Sequence, residues 1–515
     1  MFPWLTVLAA LPILGAILVA LSKQRAARVV GLVVALATLA LGVVVTVLRQ
    51  SGTEMLDQIE WLPSLGSHYA LGLPAAGSGD ADGGMALVMV LLTVVLVPLV
   101  LVAEWRTGMG ESGRWSSQAF VALVLLVESF SLFCFLSLDL LLFYIFFEAT
   151  LIPMYFLIGG WGGVKRGAAA TKFLLFGLAG GLVMLFAVIG TGVVAGDALG
   201  TPSFLFSDLA RAEIADSPLI KTIFIAFFIA FALKAPMVPG HTWLPEAAEE
   251  STPGGAALMV GILDKLGTFG MIRVCLWIFP EQSQWATPVI LVLALLSIVY
   301  GALAAIGQKN LMRLIAFTSI SHFGFMVLGI FVLTEQSLTG SIFYMVNHGL
   351  STGALYLVIG YLIARRGSAQ VADFGGVIQI APVLAGFTLV SGLAGLALPG
   401  TSSFVSEFMV LAGAWSHNQV IAGIATFGTV LAALYILWLY QRLMTGPVPD
   451  EVAAHVTTDL TWRERIALIP LVALFLVLGF FPAPALDLIN PTSETVMINA
   501  GADELAPRYT VEEGE

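Results

Sequence analysis

The run LLLFYIFFEATLIPMYFLIGG, residues 140–160, decides what kind of chain this is. It carries one charged residue, Glu148, and is long enough to cross a bilayer, which takes about 20 apolar residues in a helix. Similar runs recur from end to end. Of the 515 residues, 59% are hydrophobic and 11% charged, against roughly 25% charged in a soluble domain. The mean hydropathy is +0.97. No soluble core hides that much apolar surface, so the composition predicts an all-α polytopic membrane protein. The two cysteines, Cys134 and Cys275, lie inside apolar runs. They exclude a disulfide scaffold and any Cys-ligated iron–sulfur or zinc site within the chain.

Fourteen apolar segments are predicted, near 2–22, 29–48, 84–103, 118–137, 140–159, 171–195, 219–237, 254–279, 286–306, 311–333, 338–363, 381–414, 418–441 and 466–486. The first has no basic region before it and reads as a retained span, not a cleaved signal. The net charge of −11 is local: nearly all of it comes from the 49–83 loop (Glu54, Asp57, Glu60, Asp80, Asp82) and the tail from Asp487 onward. Alternate loops sort by sign. Lys23, Arg25, Arg28, Arg106, Arg114, Lys165, Arg166, Lys172, Lys309, Arg313, Arg365, Arg366, Arg442, Arg463 and Arg465 fall on one side, 15 of the 22 basic residues. The positive-inside tendency makes that side cytoplasmic and puts both termini outside.

Two segments are interrupted. The seventh runs into KAPMVPGHTWLPE (234–246), and the twelfth is broken by LPGTSS (398–403). Proline removes a backbone donor, and such breaks survive at membrane depth only against protein or water. The breaks lie five spans apart, which suggests two inverted five-helix repeats, spans 4–8 and 9–13, each with a broken helix. The simpler alternative is that prolines kink two long helices. The organisation expected is residues 1–117 with spans 1–3, 118–280 and 281–441 as the repeats, and 442–515 with span 14 and an acidic tail.

Several charges stand where charge is expensive. Lys234 follows FIAFFIAFAL, and Lys265 is mid-span in GILDKLGTFG. A lysine at the bilayer centre costs roughly 2.5–3.5 kcal/mol on insertion scales, so a partner or water is expected. Glu148, Glu128 (in ALVLLVESFSLF) and Glu407 (in PGTSSFVSEF) are equally embedded, as are His322 and His348. Asp139 stands at a span boundary where water could reach it, and Arg273 near an outer end where it could snorkel. Taken singly, each histidine could be a structural hydrogen bond and Glu148 with Lys234 a structural ion pair. Together, Glu148, Lys234, Lys265, His322, His348 and Glu407 spread over both repeats and read as a proton relay. Burial disfavours the charged form of acid and base alike, bringing both toward proton exchange near neutral pH. Asp264 adjoins Lys265, but adjacent helical residues do not face each other, so it points to another helix or to water. His241, Glu246, Glu249 and Glu250 read as a solvated approach to the first break.

At these residues a resemblance emerges. DLLLFYIFFEATLIPMYFLIGGWGG (139–163), KAPMVPGHTWLPEA (234–247), NLMRLIAFTSISHFGF (310–325) and LALPGTSSFVSEF (396–408) resemble the antiporter-like subunits of respiratory complex I, the NADH–quinone oxidoreductase. The resemblance covers roughly spans 3 to 14. The phrase around Glu148, a length too short for a lateral helix, and Glu407 where sister and Mrp-type chains carry lysine all point to the M-type members (mitochondrial subunit 4). It implies an acid–base pair of Glu148 and Lys234, a central Lys265, an axis through His322 and His348, and Glu407 on the exit side. A Glu148–Lys234 pair about 4 Å apart at an effective dielectric near 20 is worth roughly 4 kcal/mol, enough to switch proton occupancy as it opens and closes. It also implies no redox cofactor in this chain, with FMN, iron–sulfur clusters and quinone in partner subunits, and sister antiporter-like chains alongside in a bacterial plasma membrane. Departures are Ala248 where the family usually has histidine, Asn310 and Met312 in place of charged residues, and the uncommon Asp264. The alternatives are a subunit of an Mrp-type cation/proton antiporter or of an energy-converting hydrogenase, and, more weakly, a structural membrane scaffold.

Overall fold

The structure is a computed structural model; it describes residues 2–74, 83–107, 116–212 and 216–501. Asp80, Asp82, Arg114, Arg508 and the acidic tail beyond residue 501 lie outside the described residues. In chain order the main helices are α1 (Trp4–Leu21), α2 (Gln24–Gln50), α3 (Gly84–Ala103), α4 (Ser117–Leu136), α5 (Leu140–Trp161), α6 (Arg166–Leu199), α7 (Pro218–Lys234), α8 (Leu244–Glu249), α9 (Pro253–Leu276), α10 (Pro280–Ile306), α11 (Leu311–Phe331), α12 (Glu335–Arg366), α13 (Pro382–Gly395), α14 (Ser402–His417), α15 (Gln419–Met444), α16 (Trp462–Phe480) and α17 (Ala483–Asn499).

Among the described residues, eleven helices are long and apolar enough to cross a membrane, or twelve if α16 and α17, bent by 71°, count as one. Fourteen segments were expected, and the difference has a local cause. The seventh and twelfth segments are divided, and their pieces α7, α13 and α14 have 17, 14 and 16 residues, short of a straight crossing. Elsewhere the helices start where a small polar side chain can take the first free amide. Ser116, Ser217, Thr252, Asn310 and Thr334 each accept from a backbone N–H three residues on. Thr461 and Glu464 form a capping box on α16.

The helices sort into an inner and an outer set. The hydrophobic stretches of α9, α11 and α12 are wholly buried, whereas α1, α2, α6, α10 and α15 turn apolar faces outward, Leu182, Phe186 and Val193 of α6 among them. The basic loops gather at one end. Arg463 donates to the Val102 and Ala103 carbonyls at 2.9 and 2.6 Å, Arg28 to the Trp105 carbonyl at 3.0 Å, and Arg365 pairs with Glu464 at 2.7 Å.

Both breaks are braced. After Lys234 the Trp243 indole donates to the Leu233 carbonyl at 3.0 Å, filling an acceptor the proline-rich turn leaves without its helical donor. At the α13–α14 break the Asn347 amide of α12 donates to the Ser402 carbonyl at 2.9 Å and to the Ser406 hydroxyl at 3.2 Å. There Gly400 has φ +95°, and Gly479 of α16 packs so closely that a Cβ would stand 2.4 Å from the Gly400 oxygen. Only glycine fits either position.

At the other end an antiparallel hairpin, β1 (Leu56–Leu62) and β2 (Ser67–Gly72), docks onto the start of α5. Asp139 makes the joint. Its carboxylate accepts from the Leu142 amide at 2.9 Å, the His68 amide at 2.8 Å and the Ser67 hydroxyl at 3.2 Å. It is completely buried, so the expected solvated position is corrected: the hairpin covers it. Arg273 is likewise buried, its guanidinium 5.1 Å from the Phe206 ring centroid, and does not snorkel to the surface. Replacing Asp139 by alanine strands three donors at this joint. A loss of about 1–3 kcal/mol is expected, seen as a lower unfolding temperature of the detergent-solubilised protein; an unchanged value would refute the joint.

Candidate functional site

The site begins with a distortion in α9. Residues Met259–Leu263 are wound as a π-helix, and the Asp264 amide donates five residues back to the Met259 carbonyl at 3.0 Å. Such widened turns are rare and cluster at functional positions. Here the Val260 carbonyl takes the Lys265 ammonium at 2.5 Å instead of a helical amide alone. The same ammonium lies 2.7 Å from Nδ1 of His348 on α12 and 5.0 Å from the Phe323 ring centroid.

From His348 the polar groups continue without reaching the surface. The His348 and His322 ring centroids are 5.3 Å apart. Nδ1 of His322 lies 2.6 Å from the Tyr344 hydroxyl, which donates to Glu407 Oε2 at 2.9 Å. The Thr429 hydroxyl of α15 donates to the other oxygen of Glu407. Lys265, His348, His322, Tyr344 and Glu407 are all buried. Since a phenol has one proton, donation to Glu407 requires His322 to be the donor on the other side. Tyr344 was not among the sequence candidates. Its signal was available: it stands four residues before His348, one turn away on the same face of α12.

The other expected residues gather around the first break. Lys234 Nζ donates to the Thr150 hydroxyl at 3.0 Å and the Phe147 carbonyl at 3.3 Å, and stands 4.5 Å from the Phe147 ring centroid. Glu148 makes no direct ion pair with it, but the two side chains interact electrostatically, so the expected pairing acts through space. The next residue along a helix points about 100° away, and Glu148 turns toward α6 while the ammonium stays over Phe147 and Thr150. The Glu148 carboxylate lies against Gly181, where a Cβ would stand 2.2 Å from Oε2. Its Oε1 has no hydrogen-bond partner, and the two residues interact only through space. A small cavity of about 10 Å³, room for about one water, lies beside the lysine, lined by Phe147, Leu151, Gly177, Gly180, Lys234 and Trp243.

The secondary candidates separate. Asp264 is 1% exposed and its Oδ2 has no partner. Glu128 is fully buried on α4, with neither oxygen hydrogen-bonded among the described residues. Asp139 belongs to the hairpin joint. His241 is buried with its ring 5.0 Å from that of Tyr300, Nδ1 unpartnered. Beyond it, Glu246 pairs with Lys172 at 2.7 Å and Glu249 with Arg313 at 3.2 Å, all four partly exposed, whereas burial takes His241 out of the expected solvated approach. Among the described residues no group of three His, Cys, Asp or Glu side chains is placed to hold a metal ion.

A buried row of exchangeable groups inside an apolar helical bundle is the arrangement of a membrane ion-translocating subunit. Comparison with known proteins agrees. Residues 137–432 match the family model described as NADH:quinone oxidoreductase/Mrp antiporter, transmembrane. The NADH-quinone oxidoreductase subunit M of Mycobacterium tuberculosis is 46% identical, the alignment covering 98% of this chain and 96% of that protein. A chain in the structure of respiratory complex I from Thermus thermophilus, with bound NADH, superimposes with a TM-score of 0.86 at 30% identity, covering 96% of this chain and all of that one. A chain of the Mrp complex from a Dietzia strain gives 0.82 at 22% identity over 98% and 99% of the two chains, and shows the shared fold. The chain belongs to the NADH:quinone oxidoreductase/Mrp antiporter membrane-subunit family.

The row makes a sharp demand on Tyr344. Tyr344→Phe keeps the ring and removes the hydroxyl that touches both His322 and Glu407. Assembly is expected to persist while proton transfer slows by about 100-fold, the low end for a lost positioned acid–base group. Proton uptake by membrane vesicles measures it, and wild-type uptake would remove Tyr344 from the row.

Proposed function

We infer that this chain is a proton-translocating, antiporter-like membrane subunit of an NADH–quinone oxidoreductase, of the M type, moving protons while other subunits pass electrons from NADH to quinone. The observation that carries the reading is the unexposed row Lys265–His348–His322–Tyr344–Glu407, found in a chain whose 46%-identical relative is a subunit M. A scaffold gains nothing from burying such groups at their insertion cost.

In this reading the chain has fourteen crossings, with α7 and α8 forming one broken span and α13 and α14 another. Spans 4–8 and 9–13 are two inverted repeats. The Asn347 brace and the Trp243 brace, one at each break, support that equivalence. Contacts among the basic loops at one end support a cytoplasmic face there and outward termini, in a bacterial plasma membrane. Flavin, iron–sulfur clusters and quinone are assigned to partner chains, and the outward apolar faces to lipid and to sister subunits.

Protons reach Lys234 from the side of Glu246 and Glu249, with Glu148 as its electrostatic partner. Lys265 then gives a proton to Nδ1 of His348. His348 passes a proton from Nε2 to His322, and His322 passes one from Nδ1 to the Tyr344 oxygen as the Tyr344 proton moves to Glu407; Glu407 then releases a proton on the exit side and Lys265 takes up another, which returns every group to its starting charge. Electron transfer elsewhere in the complex drives the cycle by altering the field along the row.

Glu148→Gln and Lys234→Ala are expected to assemble but to lose most proton pumping together with coupled quinone reduction, measured in vesicles energised with NADH. In gently solubilised membranes the chain should migrate with NADH dehydrogenase activity. Wild-type pumping by either assembled variant, or migration in a complex that does not oxidise NADH, would overturn the reading.

A further inference from the structure

The Glu148 carboxylate and the Lys234 ammonium are neighbours that do not touch. Lys234 Nζ donates to the Phe147 carbonyl at 3.3 Å and to the Thr150 hydroxyl at 3.0 Å, on either side of Glu148 along α5. Standard bond lengths put the Phe147 oxygen roughly 3 Å from the Glu148 Cα, so the ammonium lies within roughly 6 Å of that Cα. The Glu148 side chain spans most of that gap, and rotation between staggered wells is enough to bring its carboxylate to the ammonium.

Instead the carboxylate points to α6. A Cβ at Gly181 would stand 2.2, 2.3 and 2.4 Å from Oε2, Cδ and Oε1 of Glu148, and these are the three nearest atoms it would meet. The carboxylate therefore fills the space in which any other residue would carry its side chain. A glycine that serves helix packing faces backbone. Gly267 is one, since its Cβ would stand 2.6 Å from the Ala235 nitrogen and the Phe231 oxygen. Gly181 faces one ionisable side chain and nothing else as close. In that position Oε1 has no hydrogen-bond partner among the described residues, which is costly for a buried oxygen.

We propose that Gly181 is a positioning residue: it seats the Glu148 carboxylate in the open state of its pair with Lys234. A charged Lys234 draws the carboxylate off the seat. When the lysine has passed its proton on, the attraction ends and the carboxylate returns to Gly181. The swing is a side-chain rotation in which no bond forms or breaks. Without the seat the pair has no open position to return to and stays closed. The proposal rests on the proton-translocating reading above.

The test compares wild type, Gly181→Ala, Gly196→Ala, Lys234→Ala and Glu148→Gln as intact complexes at matched assembly, by electron cryomicroscopy and by pumping in vesicles energised with NADH. The new methyl of Gly181→Ala meets first the end of a flexible side chain, so this variant is expected to assemble. Its Glu148 carboxylate should stand within about 4 Å of the Lys234 ammonium, the limit of an ion pair, and most pumping should be lost. Gly196→Ala lies on the same helix, where a Cβ would stand 3.7 Å from Pro202, and should pump like wild type. In Lys234→Ala the carboxylate should remain on Gly181, and this map decides the matter if Gly181→Ala does not assemble. The assignment is overturned by a Gly181→Ala carboxylate turned anywhere but to Lys234, or by one that leaves Gly181 in Lys234→Ala. It is equally overturned by wild-type pumping of Gly181→Ala where Glu148→Gln loses it, or by an equal loss in Gly196→Ala. If Glu148→Gln itself pumps like wild type, the reading of the whole path fails, and the two maps alone judge the seat.

Discussion

A charge at the centre of a bilayer is stabilised only by what the protein itself supplies, and this constraint governs the architecture from the outside inward. The row from Lys265 to Glu407 sits on α9, α11, α12 and α14, and the first three of these are buried along their hydrophobic stretches. Helices such as α2, α6, α10 and α15 present leucine, valine and phenylalanine outward. The outer helices exclude lipid and water from the row; the inner ones exchange hydrogen bonds with each other. Within that low-dielectric interior a short polar contact such as Lys265 to His348 is stronger than in water, and an unmet polar atom is more costly.

The second constraint is backbone. Continuous helices leave no main-chain polar group free, so a path for ions must be built where helices are broken or wound wide. The chain uses both devices. Lys234 and Glu407 stand beside the two proline-containing breaks, and Asp264 and Lys265 follow the π-wound turn. Each break is braced by one side chain, Trp243 from within the first and Asn347 of α12 at the second. Glycine serves where side chains must approach backbone closely: Gly181 makes room for the Glu148 carboxylate, and Gly479 for the second break.

Much of this was legible in the sequence because hydropathy and length are local properties. The helices lie close to the apolar segments read from composition, and the divided seventh and twelfth segments were marked by their prolines. The six principal ionisable residues stood out because each is a titratable group inside a predominantly apolar span. Tyr344 escaped because a tyrosine in a span is unremarkable until its hydroxyl is known to touch two ionisable neighbours. Asp139 misled because a boundary position looks solvated when the hairpin that covers it is far away in sequence.

By itself the sequence determined that the chain crosses a membrane many times, where two of its helices break, and which titratable side chains are embedded in apolar runs, since insertion cost and proline geometry act within one segment. Only the tertiary structure decided which of those groups touch. Helix rotation and packing turned Glu148 toward Gly181 and set Tyr344 between His322 and Glu407. Hydrogen bonds depend on separations of a few tenths of an ångström between helices remote in sequence, and no local pattern of residues specifies those.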